Sequence, residues 1–301
     1  MLLKLLFPSD YFDKSAPDEA YKEEYAIAKS LGFGCLLFDY DEFIETKSIN
    51  LKNVDDDGML LYRGWMLKLQ DYSTLYDLLS DEGYLLLNSA WLYEIYHHFN
   101  DIYSQLEGKI DTPKIITIKK IDDEYSFFNS DIGYLPLNVK EHFKDYFIMK
   151  DNVKSVKGSD FPDKISVDIS DEEFTKLVEK FIQLRGGLYT GEIVLKQYEN
   201  LKKYGNTTNE WRVFYFLGKV MTVNRNSNQS DNAPRVPDCM VNNEAITNES
   251  SFIYTADFAE TEDGRWILIE TGDGQVSGLS PNQNILEFYT KIQNYWNEKY
   301  K

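Results

Sequence analysis

Residues 252–274, FIYTADFAETEDGRWILIETGDG, carry the strongest fold signal in this 301-residue chain. Two runs of apolar, aromatic and β-branched residues, Phe252–Glu260 and Arg265–Glu270, flank the segment Glu262-Asp-Gly264. An Asp-Gly pair between two such runs is typical of a tight hairpin turn. The stretch therefore predicts two antiparallel strands.

Three carboxylates fall at the end of this hairpin. Asp257 and Glu270 lie on the facing strands, and Asp273 follows in the glycine-rich turn. Carboxylate oxygens that converge at a strand end can bind Mg²⁺ ions that bridge phosphate oxygens. The alternative is a solvated acidic turn. The apolar residues around Asp257 favour the metal site, because an unpaired carboxylate there would be costly.

The rest of the chain from about Lys140 onward also predicts long strands and hairpins. The other expected elements are strands at Tyr146–Met149 and Glu192–Tyr198, a helix at Asp171–Leu184, a hairpin of Trp211–Leu217 and Lys219–Val223 turned at Gly218, and a helix from Pro281 to about Lys299. The polar stretch Asn224–Ser251 predicts a long loop, and a lid that orders around substrate is one hypothesis for it.

The first third of the chain alternates between strand and helix patterns. Strands are expected at Leu2–Phe7, Cys35–Phe38, Gly58–Tyr62 and Leu85–Leu87, with helices after Pro17, at Asp71–Leu79 and at Trp91–Phe99. This order favours a mostly parallel sheet with helices on its faces. His97 and His98 end the third helix and are interpreted as surface and packing residues.

Composition limits the classes of partner. The chain contains 32 basic and 50 acidic residues, a net charge of −18, which argues against duplex nucleic acid and anionic membranes. It has no apolar run long enough to span a bilayer, and its two cysteines cannot form a disulfide framework, so a cytoplasmic protein is expected. Residues 144–235 differ from the rest of the chain in charge, because they contain 15 basic and 13 acidic residues. This local charge is compatible with the binding of a single nucleotide.

Cationic residues in that part of the chain could bind a triphosphate. Lys150, Lys154 and Lys157 lie close together in sequence, and Arg212 lies within an apolar strand. Lysine supplies a point charge and arginine a bidentate fork for phosphate oxygens. The alternative, solvated side chains, is the better interpretation for Lys157 alone. Arg212 shares its strand face with aromatic residues, so an anionic partner is expected.

These segments, taken in order, resemble a known fold family. They are Phe147-Ile-Met-Lys-Asp151 with Lys154-Ser155, Val194-Leu-Lys-Gln-Tyr198, Glu210-Trp-Arg212, Asp257 and Ile269-Glu-Thr-Gly-Asp-Gly-Gln-Val-Ser-Gly278. They look like the ATP-grasp fold, and more narrowly like its clade named for two arginines and a lysine. That clade includes the eukaryotic cell-division-cycle factor that assembles a translation initiation complex. Arg63-Gly-Trp-Met66 and Leu6-Phe-Pro-Ser-Asp10 resemble the N-terminal region of its bacterial and phage members.

The resemblance implies an α/β pre-ATP-grasp domain at residues 1–135 and an ATP-grasp domain at 136–301, with an ATP cleft between antiparallel sheets. Within the second domain, a lid subdomain is expected at about 145–200 and a C-terminal subdomain at about 201–301. The implied ATP ligands are Lys150, Lys154, Arg212 and a hinge of Leu195, Lys196, Gln197, Tyr198 and Glu199, and the implied magnesium ligands are Asp257, Glu270 and Asp273. Lys150, Arg212 and Arg63 are the implied catalytic residues, and Arg63 is expected to reach the acceptor or the γ-phosphate. The hinge strand would flank adenine with Ile193 and Leu195, or serve only as a core strand.

Three functions follow as hypotheses. The first is an ATP- and Mg²⁺-dependent ligase that joins a carboxylate to an amine through an acylphosphate, with a peptide or protein as substrate. The second is an ATP-bound assembly factor for a protein partner that does not turn over. The commoner ATP-grasp pattern ends in Glu-x-Asn, and Asp273 in the last position suits two metal ions but also leaves the second function open. The third is a general α/β protein in which the acidic turn and Arg212 are structural.

Overall fold

The N-terminal part of the chain forms a five-stranded sheet with helices on both faces, as the alternating pattern predicts. The computed structural model describes residues 2–53, 57–121, 124–129, 133–156, 158, 160–247 and 251–300. The elements here are β1 (Leu3–Pro8), α1 (Lys22–Ser30), β2 (Gly34–Phe38), α2 (Tyr40–Thr46), β3 (Leu51–Lys52), β4 (Gly58–Tyr62), α3 (Leu69–Asp81), β5 (Tyr84–Leu86), α4 (Ala90–His97) and α5 (Phe99–Leu106). The strand order is β3-β2-β1-β4-β5, with β3 antiparallel and the other pairs parallel.

Alternation along the strands divides the buried side chains between the two faces of this sheet. In β1, Leu5 and Phe7 belong to one apolar cluster, while Leu6 belongs to the cluster on the other face. The first cluster also contains Ala28 of α1, and the second contains Leu75 of α3. This is the period of two expected of a strand buried on both faces.

A six-stranded antiparallel sheet follows. Its elements are β6 (Ile115–Ile121), β7 (Glu124–Asn129), β8 (Gly133–Pro136), α6 (Val139–His142), β9 (Tyr146–Lys150), β10 (Ile165–Ser166), α7 (Asp171–Arg185) and β11 (Ile193–Gln197), with strand order β10-β9-β11-β6-β7-β8. Because β6 pairs with β11, strand pairing favours a domain boundary between Leu106 and Ile115. The boundary at 135 and 136 implied by the resemblance stays a prediction.

The two predicted hairpins form a four-stranded antiparallel sheet. The remaining elements are β12 (Lys203–Tyr204), β13 (Thr207–Thr208), β14 (Glu210–Phe216), β15 (Lys219–Arg225), α8 (Asp238–Val241), α9 (Glu244–Thr247), β16 (Ile253–Glu260), β17 (Trp266–Asp273) and α10 (Ile285–Tyr300), with sheet order β15-β14-β16-β17. Helix α10 begins four residues after the expected Pro281 and packs against α1 of the N-terminal sheet. Among the described residues, no helix combines the length and apolar character needed to cross a bilayer.

The segment Asn224–Ser251 is more ordered than the sequence indicated. It extends β15, carries the short helices α8 and α9, and buries Val236, Val241 and Ile246 against the four-stranded sheet. Residues 248–250 lie outside the described part of the chain. Burial of three apolar side chains favours a fixed segment over a lid.

Candidate active site

A cavity of about 990 Å³ lies between the six-stranded and four-stranded sheets. Its walls contain ten of the residues predicted to bind ATP or metal, namely Lys150, Lys154, Lys196, Gln197, Tyr198, Glu199, Arg212, Asp257, Glu270 and Asp273. Five cationic and five acidic side chains line it, although the chain as a whole carries a charge of −18. The cavity is therefore the place where the predicted cations and carboxylates meet.

Strand register places Arg212 against Asp257. Arg212 on β14 is the direct partner of Asp257 on β16, which in turn is the direct partner of Glu270 on β17. The Arg212 guanidinium donates from Nε and Nη2 to the two oxygens of Asp257, at 2.8 and 2.7 Å. The neighbouring Trp211 points to the opposite, apolar face. The anionic partner expected for Arg212 is thus a carboxylate of its own sheet.

Glu270 pairs with a lysine from the other sheet. Lys150 at the end of β9 donates from Nζ to Glu270 Oε1 at 2.9 Å. Burial would raise the pKa of Glu270, but Lys150, Lys196 and Arg212 outweigh it and keep the pKa below its ordinary value. Glu270 is therefore ionised at neutral pH, as a metal ligand must be.

The side chains of the hinge residues on β11 point to the two opposite faces of this strand. Lys196 faces the cavity and donates to the carbonyl oxygen of Ile269, whereas Leu195 and Ile193 are buried in the apolar core under α7. Burial, followed by the nearby charge of Lys150, lowers the pKa of Lys196 to about 8. The expectation that Leu195 and Ile193 flank adenine is not supported, because their side chains point away from the cavity. Ile148 and Ile269 line it instead.

Gln197 organises the backbone at the end of the hinge. Its amide nitrogen donates to the carbonyl oxygens of Lys144, Tyr146 and Tyr198, and its Oε1 accepts from the Lys144 amide. With the side chain engaged in this way, we assign Gln197 to positioning the hinge.

Lys154 lies in the loop that follows β9. The carboxylate of Asp151 accepts from the backbone amides of Val153 and Lys154 and from Nε of Arg185, which fixes this loop beside the cavity. Lys154 itself is exposed, and no carboxylate partner is found for its amine among the described residues. Lys157 lies outside those residues.

Asp273 occupies a different environment from the other two carboxylates. It is fully buried, and its oxygens accept from Asn88 Nδ2 and from the backbone and side-chain nitrogens of Gln275. Burial raises the pKa of Asp273 to about 7, although the hydrogen bonds from Asn88 and Gln275 oppose this shift. Asn88 follows β5, so Asp273 connects the N-terminal sheet to the cavity.

The positions of the three predicted carboxylates indicate whether they suit Mg²⁺. Asp257 and Glu270 offer hard oxygen ligands from directly paired positions at the cavity, which suits the ion. They do not form a closed three-ligand set with Asp273: in the described part of the chain, the single group of three with ligand atoms within 4.8 Å of one another is Glu94, His98 and Asp101, none of which lines the cavity. The residues therefore fit a cation bound by two carboxylates together with oxygens of another molecule.

Arg63 is absent from the cavity wall. Its guanidinium is 1% exposed and donates to both oxygens of Glu24 at 3.0 and 3.1 Å. Its Nη1 also faces the carbonyl oxygens of Gly274, Gln275 and Ser277. In this structure Arg63 cannot contact an acceptor or a γ-phosphate, since its donors are committed. It supports the loop after β17 that forms part of the cavity.

His97 is the residue that the sequence interpretation missed. The sequence predicts a surface and packing residue, whereas its side chain also lines the cavity at the end of α4. Its ring stacks on Tyr93, one helical turn earlier, with centroids 5.0 Å apart. The spacing of four residues could have indicated the stack, but no local signal showed that the histidine would meet the other sheets.

Together, these features define a class of protein with a nucleotide-sized, charged cleft between two antiparallel sheets. Residues 134–296 match the family model of an ATP-grasp domain, family 3 of the clade named for two arginines and a lysine. The chain belongs to that family, which confirms the resemblance and the predicted fold class. No curated protein matches the chain significantly.

Solved structures support the same fold across the whole chain. The ATP-grasp ligase PsnB complexed with minimal precursor is 10% identical, with 98% of this chain and 99% of that chain covered and a TM-score of 0.56. D-alanine–D-alanine ligase from Bacillus anthracis complexed with ATP is 14% identical, with 99% and 96% covered and a TM-score of 0.54. Macrocyclase MdnC bound with precursor peptide MdnA from Microcystis aeruginosa MRC is 13% identical, with 97% and 99% covered and a TM-score of 0.54. At these identities the similarity concerns the fold.

Proposed function

We propose that this chain is an ATP- and Mg²⁺-dependent ligase that joins a carboxylate to an amine, with a peptide or protein as one substrate. The observation that carries the proposal is that the pairs Lys150–Glu270 and Arg212–Asp257 face one cavity between two sheets. Each pair combines a cation suited to phosphate oxygens with a carboxylate suited to a hard metal ion. Three of the similar structures contain ATP, a precursor peptide, or a precursor peptide with AMPPNP, which supports the substrate class.

In this proposal the nucleotide spans the cavity from the hinge to the two ion pairs. The base lies beside Tyr198 and Glu199, with Ile148 and Ile269 as its apolar neighbours. The triphosphate oxygens replace Glu270 and Asp257 as the partners of Lys150 and Arg212. Mg²⁺, held by Asp257 and Glu270, would neutralise phosphate charge when bound.

The exchange of partners has an electrostatic reason. Without ligand, each cation neutralises a carboxylate that would otherwise repel its neighbour across the strand pair. When a triphosphate binds, its oxygens attract the cations, and the released carboxylates need a new positive charge. ATP and metal should therefore bind together far better than either binds alone.

The reaction needs positioning more than a nucleophilic side chain. The substrate carboxylate attacks the γ-phosphorus of ATP, ADP leaves, and the amine then attacks the acyl carbon and displaces phosphate. Lys150, Lys154 and Arg212 would orient the phosphoryl group and balance its charge.

The second candidate is an ATP-binding assembly factor without turnover. The environment of Asp273 favours it, because this carboxylate, although it lines the cavity, is fully buried and already accepts hydrogen bonds from Asn88 and Gln275. Of the three predicted metal ligands, Asp257 and Glu270 then remain for a metal ion. The two candidates differ in whether bound ATP is consumed.

Calorimetry of ATP binding with and without Mg²⁺ tests the site. We expect the Asp257→Asn and Glu270→Gln variants to lose Mg²⁺-dependent ATP binding, whereas Glu262→Gln, in the exposed turn of the same hairpin, keeps it. Equal, metal-independent ATP affinity in the wild type and both site variants would contradict the site. ADP release with carboxylate and amine mixtures then separates the ligase from the assembly factor.

A further inference from the structure

The N-terminal unit contributes very little to the cavity, and one of its contributions is chemically reactive. Of the residues before Ile110, only Met66 and His97 line the cavity within the described part of the chain. The two antiparallel sheets supply the proposed nucleotide site. In the proposed complex, His97 therefore lies on the wall of the cavity that holds the nucleotide.

Ring stacking holds the His97 side chain in place, and its imidazole nitrogens take no part in this contact. Its ring stacks on Tyr93, and Tyr93 stacks on Tyr72 with ring centroids 3.9 Å apart. The Tyr93 hydroxyl donates to the Leu67 carbonyl oxygen, which anchors the stack. Among the described residues, no hydrogen bond or ion pair engages the imidazole of His97. A fixed ring with open nitrogens is ready for proton transfer.

The other groups of the cavity that could accept a proton are already engaged. The five lining carboxylates pair as follows: Glu199 with Arg265, Glu210 with Thr208, Asp257 with Arg212, Glu270 with Lys150, and Asp273 with Asn88 and Gln275. Two of these carboxylates are also the proposed metal ligands. Lys196, whose pKa is lowered to about 8, also lines the cavity, but its amine already donates to the Ile269 carbonyl oxygen. This leaves His97 as a base of the wall without a hydrogen-bond partner among the described residues.

Burial and neighbouring charges determine the protonation state of His97. Burial, then His98, Lys154 and Lys150 lower the pKa of His97 to about 4, while Glu270 opposes them. The imidazole is therefore neutral before ATP binds. In the proposed complex, a triphosphate that binds Lys150 and Lys154 would offset two of the charges that disfavour the imidazolium.

We propose that His97 is the general base for the acceptor amine, an inference that rests on the proposed ligase function. The amine nitrogen forms a bond to the acyl carbon, and the acyl C–O bond breaks with its electron pair leaving on phosphate. The nitrogen loses a proton to the imidazole of His97, which passes it to the departing phosphate or to solvent. No further reactant is needed.

The test compares two acceptors of different basicity. Wild type, His97→Gln and the control His142→Gln are incubated with Mg-ATP and a pool of N-acetylated peptides that carry free Asp, Glu or C-terminal carboxylates. His142 is outside the cavity and contacts Phe127. The acceptor is either methylamine, which must lose a proton to react, or hydroxylamine, which is unprotonated at neutral pH and a stronger nucleophile. Methylamide and hydroxamate are measured by mass spectrometry.

We expect His97→Gln to form methylamide at least about 100-fold more slowly, while its hydroxamate formation stays near that of the wild type. Added imidazole should restore methylamide formation to His97→Ala, which a purely structural role would not allow. If His97→Gln keeps both products, or loses both, the base assignment is overturned while the ligase proposal stands. If the wild type forms neither product, the ligase proposal fails and this inference fails with it.

Discussion

Replacing Arg63 by methionine should destabilise the protein strongly, because it breaks a buried ion pair. Methionine has similar bulk but no charge, so it leaves Glu24, which is 8% exposed, without a cation. It also removes the donor shared by the carbonyl oxygens of Gly274, Gln275 and Ser277. Removing one partner of a buried ion pair costs about 3–5 kcal/mol. That is a large fraction of the roughly 5–15 kcal/mol that stabilises a typical domain.

Urea unfolding measures the effect, with Lys22→Met as the matched control. Lys22 also pairs with a glutamate, Glu19, but both side chains are exposed, so the control should unfold at the wild-type midpoint. The double variant Glu24→Gln with Arg63→Met should be more stable than Arg63→Met alone, because the uncompensated charge is gone. A loss below about 1 kcal/mol in Arg63→Met, or no recovery in the double variant, would refute the assignment of Arg63 to a buried structural pair.

Two further predictions concern pH and backbone conformation. Because the pKa of Lys196 is lowered to about 8 from an ordinary value of 10.5, the unfolded chain binds a proton between these pH values that the folded protein does not. The stability of the wild type relative to Lys196→Met should therefore rise from pH 8 to 10 in urea titrations, and a flat difference would contradict the shift. Gly218→Ala should destabilise by about 1–3 kcal/mol, since a Cβ would lie 2.6 Å from the Thr247 carbonyl oxygen at a φ of +73°. Gly205→Ala, with φ +74° and nothing within 4 Å, is the control and should cost less in thermal unfolding.

Much of the site follows from local sequence. The Asp-Gly turn at Gly264 and the runs around it predict the hairpin. Its register near the turn would pair Asp257 with Ile269, and a register shift between Asp257 and Phe258 places Asp257 opposite Glu270 instead. Alternation alone predicts that Arg212 shares a face with Phe214 and Phe216, and its contact with Asp257 depends on the pairing of β14 with β16. Because a strand has a period of two, the sequence determines which side chains point to one side of a sheet.

Tertiary structure decides what those side chains meet. Lys150 reaches Glu270 across 120 residues, and Asn88 reaches Asp273 across 185. Their pairing depends on how separate sheets are placed, which no local period encodes. The same holds for Leu195, whose strand was recognised but whose face was not.

Arg63 and His97 show most clearly what the local sequence predicts and what the tertiary structure decides. The sequence predicts Arg63 as a candidate catalyst and His97 as a packing residue. In the structure, Arg63 is buried in an ion pair and His97 lines the cavity. By itself, the sequence determined most of the strands, the hairpins, the family and the presence of two carboxylates on facing strands. Only the packing of three sheets decided which charged and polar groups became buried partners and which stayed open to a ligand, because burial and neighbouring charge depend on the whole fold.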